Sequence, residues 1–386
     1  TNTSIREGWF YRDDTHQKVR STDDVFDIYE RAVGGNSTFL LNIPPNRDGK
    51  FSPADVAVLK GTGQRIRETY GTDLFRQAEG PKEVLDQNAD TYVTVDKDGP
   101  GIVISTPQPV TLNRLVLQEA IATNGERVEK HAVDAWIDGG WKEIAHSTNI
   151  GYKRILRFPD VTTDKIRVRI LESRLTPAIC TISAHHYKAR PPRLSAQRNM
   201  DGLVTIEPMP QEFGWKAHGE NIAENLNAGF KIYYTTDGTE PSAGSTEYKD
   251  PFQMGNNELK AVAILNGEKG AILQERFGLV KKEWKVIGKT AQFLAIDLGS
   301  EHILSGFAFT PQKQGDKGTV AGIIRISNDG KNWKEMESFE FGNLINDPSK
   351  RYHHFKQMVK ARYIQVEAAE IAARTEADAL AGIDIF

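Results

Sequence analysis

The sequence predicts a multidomain protein. A C-terminal remnant of a (β/α) barrel occupies residues 1–75, and three antiparallel β-sandwich domains follow at 76–189, 190–280 and 281–386. Three observations predict this. The chain has 386 residues, more than one hydrophobic core ordinarily organises. Its first part sets the continuous apolar run Phe39-Leu40-Leu41-Asn42-Ile43 between segments of helical period, the pattern of a strand buried on both faces, hence parallel and flanked by helices. Beyond about Phe75 the chain is written in short strands separated by turn residues, and its last module echoes the first of these.

In the first segment, Thr3 to Tyr11 is strand-like and broken by Gly8. Ser21 caps a helix whose first turn carries Asp23 and Asp24, where the helix dipole favours anions, and Val25, Ile28, Tyr29 and Ala32 form its apolar stripe. Gly34-Gly35-Asn36 stops it. The buried strand Thr38 to Ile43 follows, then the turn-rich stretch Pro44 to Gly49. Ser52 and Pro53 open a second helix as N-cap and first position; Val56, Leu59, Gly63 and Ile66 line one face, and Gly71 ends it. The order is β-α-β-α. Two such units close no barrel, so the remainder is supplied either by another chain or by residues preceding Thr1. We take the second, which makes the sequence the tail of a larger protein. In a barrel, ligand chemistry sits where the strands end, which directs attention first to Asn42–Asp48.

The succession SIREGWFYR, a helix containing DIY and VG, and NSTFLLNIPPNRDGKFSP resembles the last strands and helices of the catalytic barrel of family 29 glycoside hydrolases, the α-L-fucosidases. Within them it is most similar to the branch acting on α-1,3/1,4-linked fucose. Glu7 departs from the proline expected there. The resemblance implies a retaining exo-α-L-fucosidase that removes terminal fucose using two carboxylates about 5 Å apart around an oxocarbenium-like transition state. It places the nucleophile on an earlier strand and the acid/base glutamate just before the SIR motif, so no catalytic residue is expected in this chain. Glu7 fits a turn better than an acid/base role.

Two substrate-binding residues are expected. Trp9 offers an indole face to the apolar C6 side of fucose, and Arg6 offers a guanidinium to a sugar hydroxyl or a carboxylate. The plain alternatives are barrel packing for Trp9 and Phe10 and a structural pairing for Arg6. Asn42 is read as satisfying backbone groups at the strand end, and Asp48-Gly49 as a turn. The implied partners are fucosylated oligosaccharides or glycoconjugates and the N-terminal half of the same protein; the implied location is periplasmic or extracellular.

The second segment holds the strands Tyr92–Val95, Ile102–Ile104, Leu112–Leu117, Val133–Ile137 and Ile166–Leu171, with Asp138-Gly139-Gly140 as a hairpin turn between Trp136 and Trp141. It resembles the galactose-binding-like sandwich that follows the barrel in fucosidases. Arg190-Pro191-Pro192-Arg193 reads as a linker. The pattern YYTTDGTEPS, Tyr248, Pro251-Phe252 and LKAVAI is similar to the small sandwich at the C-terminus of chitobiases, with Asp237 making the turn. From Trp284 onward, AIDLG, ISNDGKNWKE and ARYIQVEA resemble the discoidin-like (coagulation factor 5/8 type C) sandwich. Trp141 and Trp333 occupy matching places in the second and fourth segments, and a core role fits both. Lys313, Gln314, Asp316 and Lys317 form a loop suited to a ligand or a structural calcium, and the sequence does not choose.

Composition narrows the function classes. A net charge of −3 offers no electrostatic footprint for nucleic acid, and no apolar run has the length of a membrane span. The single cysteine, Cys180, excludes an internal disulfide and a multi-cysteine metal site; its run Ile179-Cys180-Thr181-Ile182 predicts a buried small hydrophobe. The adjacent pairs His185-His186 and His353-His354 point to opposite faces of a strand and lack carboxylates or cysteines at metal-site spacing, so no histidine metal site is expected; apart from the undecided calcium, no cofactor is expected. Two further readings compete with the enzyme: a non-catalytic carbohydrate-binding multi-module protein, and a structural spacer. The β-α-β-α segment separates the enzyme from both, because neither needs it.

Overall fold

The computed structural model describes residues 1–6, 8–11, 19–96, 99–209, 229–310, 321–341, 350–368 and 376–386, the first three of the last stretch by backbone alone. It divides into two compact units: Thr1–Tyr11 and Val19–Ala189 lie in one, and the described residues from Arg190 onward lie in the other.

The first unit begins with β1 (Asn2–Ser4), α1 (Thr22–Val33), β2 (Leu40–Asn42) and α2 (Pro53–Tyr70). β1 and β2 pair in parallel, with Thr3 opposite Leu41, as a β-α-β connection requires. Ser21 caps α1 by accepting from the Asp24 amide at 3.1 Å. Gly34 ends α1 without a left-handed backbone (φ −73°). Its glycine is needed for room: a Cβ there would stand 2.5 Å from the Cβ of Ile155. The left-handed residue is Asn36, at φ 62°.

Two burial expectations are corrected. The strand Phe39–Ile43 is not buried on both faces: Leu40 is 60% exposed, and Leu41 and Asn42 are half-buried, because among the described residues its sheet has only two strands. On α2 the expected face of Val56, Leu59, Gly63 and Ile66 is only half-buried. The buried positions are Asp55, Thr62, Arg65 and Thr69, since the helix meets polar partners: Arg65 pairs with Asp23 of α1, and the Tyr70 hydroxyl donates to Glu30 at 2.6 Å.

The same unit continues with β3 (Val93–Thr94), β4 (Ile102–Glu119), the short α3 (Ile121–Asn124), β5 (Val128–Ile137), β6 (Gly140–Ser147), β7 (Arg154–Ser173) and β8 (Ala178–His185). The strands form one sheet of order β3-β8-β4-β7-β5-β6, antiparallel throughout. The β4–β7 register shifts between Ser105 and Val110 and again between Leu112 and Arg114. Such irregularities bend a strand, and both arms of β4 supply one core through Ile102, Ile104, Leu112, Leu115 and Leu117. The hairpin turn Asp138-Gly139 has φ of 52° and 79°, the positive pair of a type I′ turn, and it sets Trp136 opposite Trp141 edge-to-face at 5.3 Å. Cys180 is buried. His185 is buried and its neighbour His186 half-buried, as opposite faces demand.

Helix α1 is anchored to this sheet by charge. Arg114 grips Glu30 with two bonds of 2.7 and 3.2 Å, and Arg157 donates to Asp27 at 2.8 Å and to Glu30 at 3.3 Å. Arg114 and Glu30 are 1% and 3% exposed, so each neutralises a charge that burial would otherwise make costly.

In the second unit, β9 (Leu194–Arg198), β10 (Leu203–Pro208), β11 (Lys231–Thr235), β12 (Thr246–Glu247), β13 (Phe252–Gln253), β14 (Asn257–Leu265), β15 (Glu268–Lys269) and β16 (Leu273–Phe277) make a three-stranded sheet, β13-β10-β9, and a second built on β11 and β14. One core joins them, with Leu194, Val204 and Ile206 against Ile232, Leu259 and Phe277. Asp237 makes the expected turn, accepting from the amide and hydroxyl of Thr239 at 3.0 and 2.6 Å. The Arg190–Arg193 stretch is not a free linker: Pro191 and Pro192 are buried, with Pro191 against Gly270.

The final module comprises β17 (Lys285–Lys289), β18 (Phe293–Phe309), β19 (Ala321–Ser327), β20 (Lys334–Glu340), β21 (Arg351–Ala368), α4 (Glu376–Ala381) and β22 (Ile383–Ile385). Its path β18-β21-β19-β20 repeats β4-β7-β5-β6, and β22 pairs with β18 as β8 pairs with β4. The echo in sequence is thus an echo in topology. β18 is one long strand whose register against β21 shifts between Asp297 and His302. Trp141 and Trp333 are both half-buried and outside the two hydrophobic cores, which corrects the core role. Each lies beside or within an edge strand, and Trp141 is covered by the Arg167 guanidinium, 4.7 Å from its ring centroid.

Candidate active-site rim

Residues at the C-terminal ends of β1 and β2 are brought together. β1 stops at Ser4, and the Ile5 amide donates to the Asn42 carbonyl at 2.9 Å, so the two strand ends stay in register. Arg6 follows, its Nε 2.9 and 3.1 Å from the two carboxylate oxygens of Asp55. Arg6 is 9% exposed and Asp55 is fully buried. Its guanidinium also lies 5.6 Å from the centre of the Tyr11 ring. After Gly8, at φ 84°, come Trp9 and Phe10, which are 45% and 77% exposed.

Asn42 ties the ends together. Its Nδ2 donates to the Trp9 carbonyl at 2.7 Å and to Ser4 Oγ at 3.2 Å, and Ser4 Oγ also accepts from the Arg6 amide at 3.3 Å. The expected backbone-satisfying role of Asn42 is what the geometry displays. In the loop after β2, Asn46 Oδ1 accepts from the amides of Asp48 and Lys50 at 3.0 Å each, and Gly49 takes φ 72°, so Asp48 belongs to a turn.

Asp55 is the residue the sequence reading did not single out. It lies in the first turn of α2, where the helix dipole favours its charge, three positions after Ser52. That spacing suggests a reciprocal cap, but the Ser52 side chain makes no capping bond, and the carboxylate faces Arg6. The partner lies 49 positions away in sequence, so no local pattern announces it. Among the described residues, no group of three or more His, Cys, Asp or Glu is placed to hold a metal ion. Glu7 and the loop of Lys313, Gln314, Asp316 and Lys317 lie outside the described residues.

With this geometry in view, comparison with known families is informative. Residues 1–70 match the α-L-fucosidase family model. This stretch is similar to α-L-fucosidases. Residues 222–277 match the Fn3-associated model, and residues 255–377 match the F5/8 type C domain. A putative α-L-fucosidase 1 of Oryza sativa subsp. japonica is 30% identical over 196 residues, 46% of this chain and 37% of the relative. The α-L-fucosidase 1 of Arabidopsis thaliana is 28% identical over 197 residues, 46% of this chain and 38% of the relative. The chain thus spans less than half the length of these plant relatives. Among solved structures, a putative α-L-fucosidase from Bacteroides ovatus is 28% identical with a TM-score of 0.45, covering 99% of this chain and 51% of that one. A Ruminococcus gnavus family 29 fucosidase solved with fucose is 25% identical with a TM-score of 0.43, covering 48% of this chain and 40% of that one. The stretch that matches the α-L-fucosidase model contains the strand ends and the rim residues described above.

Proposed function

We propose that this chain is the carboxy-terminal half of a retaining exo-α-L-fucosidase that releases terminal α-1,3/1,4-linked L-fucose from glycans or glycoconjugates in the periplasm or outside the cell. Residues preceding Thr1 complete the barrel and carry the nucleophile and the acid/base; the three β-sandwich domains are accessory. Trp9 and Arg6 face the sugar from the rim. The observation that carries this reading is the parallel β1–β2 pair, inside the stretch that matches the α-L-fucosidase model, with Trp9 exposed at its C-terminal end. Barrel enzymes do their chemistry at that end, and an exposed indole suits the apolar side of a deoxysugar.

The test uses the complete protein on a 3- or 4-fucosylated oligosaccharide, with the released sugar followed by proton NMR. The expected first product is α-L-fucose, the retained anomer. Trp9→Ala should raise KM by about tenfold, the equivalent of about 1.4 kcal/mol of stacking. A complete protein with both carboxylates in place that frees no fucose would overturn the enzyme reading.

A further inference from the structure

We propose that Asn42 and Asp55 are positioning residues that hold the segment carrying Trp9 in its sugar-binding orientation. This rests on the fucosidase reading of the same site. Beyond β1, which ends at Ser4, the described residues of the segment make only an isolated antiparallel bridge, Arg6 to Val19, and Gly8 adopts φ 84°. A binding ring on such a segment must be ordered by something else, or the ordering is charged against ligand affinity. Two clamps do this from two different elements. From β2, the Asn42 amide takes the Trp9 carbonyl at 2.7 Å. From α2, the fully buried Asp55 carboxylate accepts from Arg6 Nε at 3.1 Å through Oδ2. One clamp stands at Trp9 itself and the other three residues before it. Asn42 also reaches Ser4 Oγ at 3.2 Å, so its single amide group spans the last residue of β1 and the ring-bearing residue.

The chemistry makes the Asn42 clamp directional. A carbonyl only accepts, so the bond needs the amide donor of asparagine. Asn42→Asp keeps the shape and removes that donor. Asp55→Asn keeps the shape and removes the counter-charge beside a buried guanidinium. Neither residue contacts the reacting atoms in this proposal; Asn42 acts through Trp9, and Asp55 acts through Arg6 and the segment that leads to Trp9.

The experiment measures kcat and KM of the complete protein on an aryl α-L-fucoside. Asn42→Asp and Asp55→Asn should each raise KM by about fivefold, the scale of one lost hydrogen bond, with kcat within about twofold. In a Trp9→Ala background, Asn42→Asp should raise KM no further, because the clamp acts through the absent ring. Chymotryptic cleavage after Trp9 or Phe10 should be faster in Asn42→Asp than in the parent. Equal KM effects of Asn42→Asp with and without Trp9, or a lowered melting temperature with unchanged KM and cleavage, would overturn the positioning role. Should Asp55→Asn fail to fold, the Asn42 pair of measurements still decides. Should the parent protein free no fucose, the enzyme reading fails, and so does the sugar-positioning role. The cleavage rates then show separately whether Asn42 holds the segment.

Discussion

His131 shows how one residue couples this fold to pH. It is fully buried on β5, with Nδ1 2.6 Å from the Thr148 carbonyl. Since a carbonyl only accepts, Nδ1 carries the proton, and Nε2 is left buried without a hydrogen-bond partner. Burial pushes its pKa down from 6.5 to about 4, against the smaller opposing pull of the Thr148 bond. The unfolded chain binds the proton near 6.5 and the folded chain near 4, so the unfolded state takes up more protons between those values. This contribution to stability is therefore complete above 6.5 and falls away as the pH drops toward 4. By pH 5 about 2 kcal/mol should be gone. Urea unfolding of the parent and of His131→Gln at pH 7.5 and 5 checks this; the variant should show the smaller difference between the two pH values. At the same scale, the site was legible as residue types and not as partners. Arg6 and Trp9 stand out after a strand-like run. Asp55 does not, because its only cue is helix-start chemistry, and its ion pair is made in three dimensions.

At the scale of elements, the starts of the helices were legible because they are local events. Ser21 and Pro53 act on groups within one turn. Burial of the helices was less legible, because counting apolar residues finds a stripe without knowing which neighbour it meets. α2 turns Asp55, Thr62, Arg65 and Thr69 inward to partners that are themselves polar. The long strand β4 was read as pieces for a related reason: its irregularities interrupt the alternation of side chains while backbone pairing continues. The end of α1 gives a prediction at this scale. Its stop was read as conformational, but Gly34 has an ordinary backbone and is held to glycine by Ile155 of β7. Gly34→Ala should therefore destabilise the docking of α1 on the sheet by about 1–3 kcal/mol, the usual cost of overpacking. A lowered urea midpoint, with the helical circular dichroism signal retained in native buffer, is the expected result. An unchanged midpoint would mean that α1 moves away from β7 at no cost.

For the molecule as a whole, the parallel pair of β1 and β2 is thinly supported by the described residues. Strands of three residues, two in number, bury too little to persist unaided, and parallel sheets ordinarily have both faces covered. Leu40 on β2 is 60% exposed and Phe10 beyond β1 is 77% exposed. The helices that flank the pair are better held, because α1 is tied to the sheet of β4 and β7 through Glu30 and Asp27. Stability should then be graded within the first unit. In this chain alone, the amides of Leu40–Asn42 should exchange with solvent orders of magnitude faster than those of Leu115–Leu117, whose side chains lie in or beside the core. Restoring the remaining barrel strands should close that gap, since each added strand covers a face or an edge of the pair. Hydrogen exchange followed by mass spectrometry on both proteins reads this directly. Equal protection of β2 in the two would mean that two strands and two helices suffice, and the proposed completion of a barrel by preceding residues would lose its physical motive.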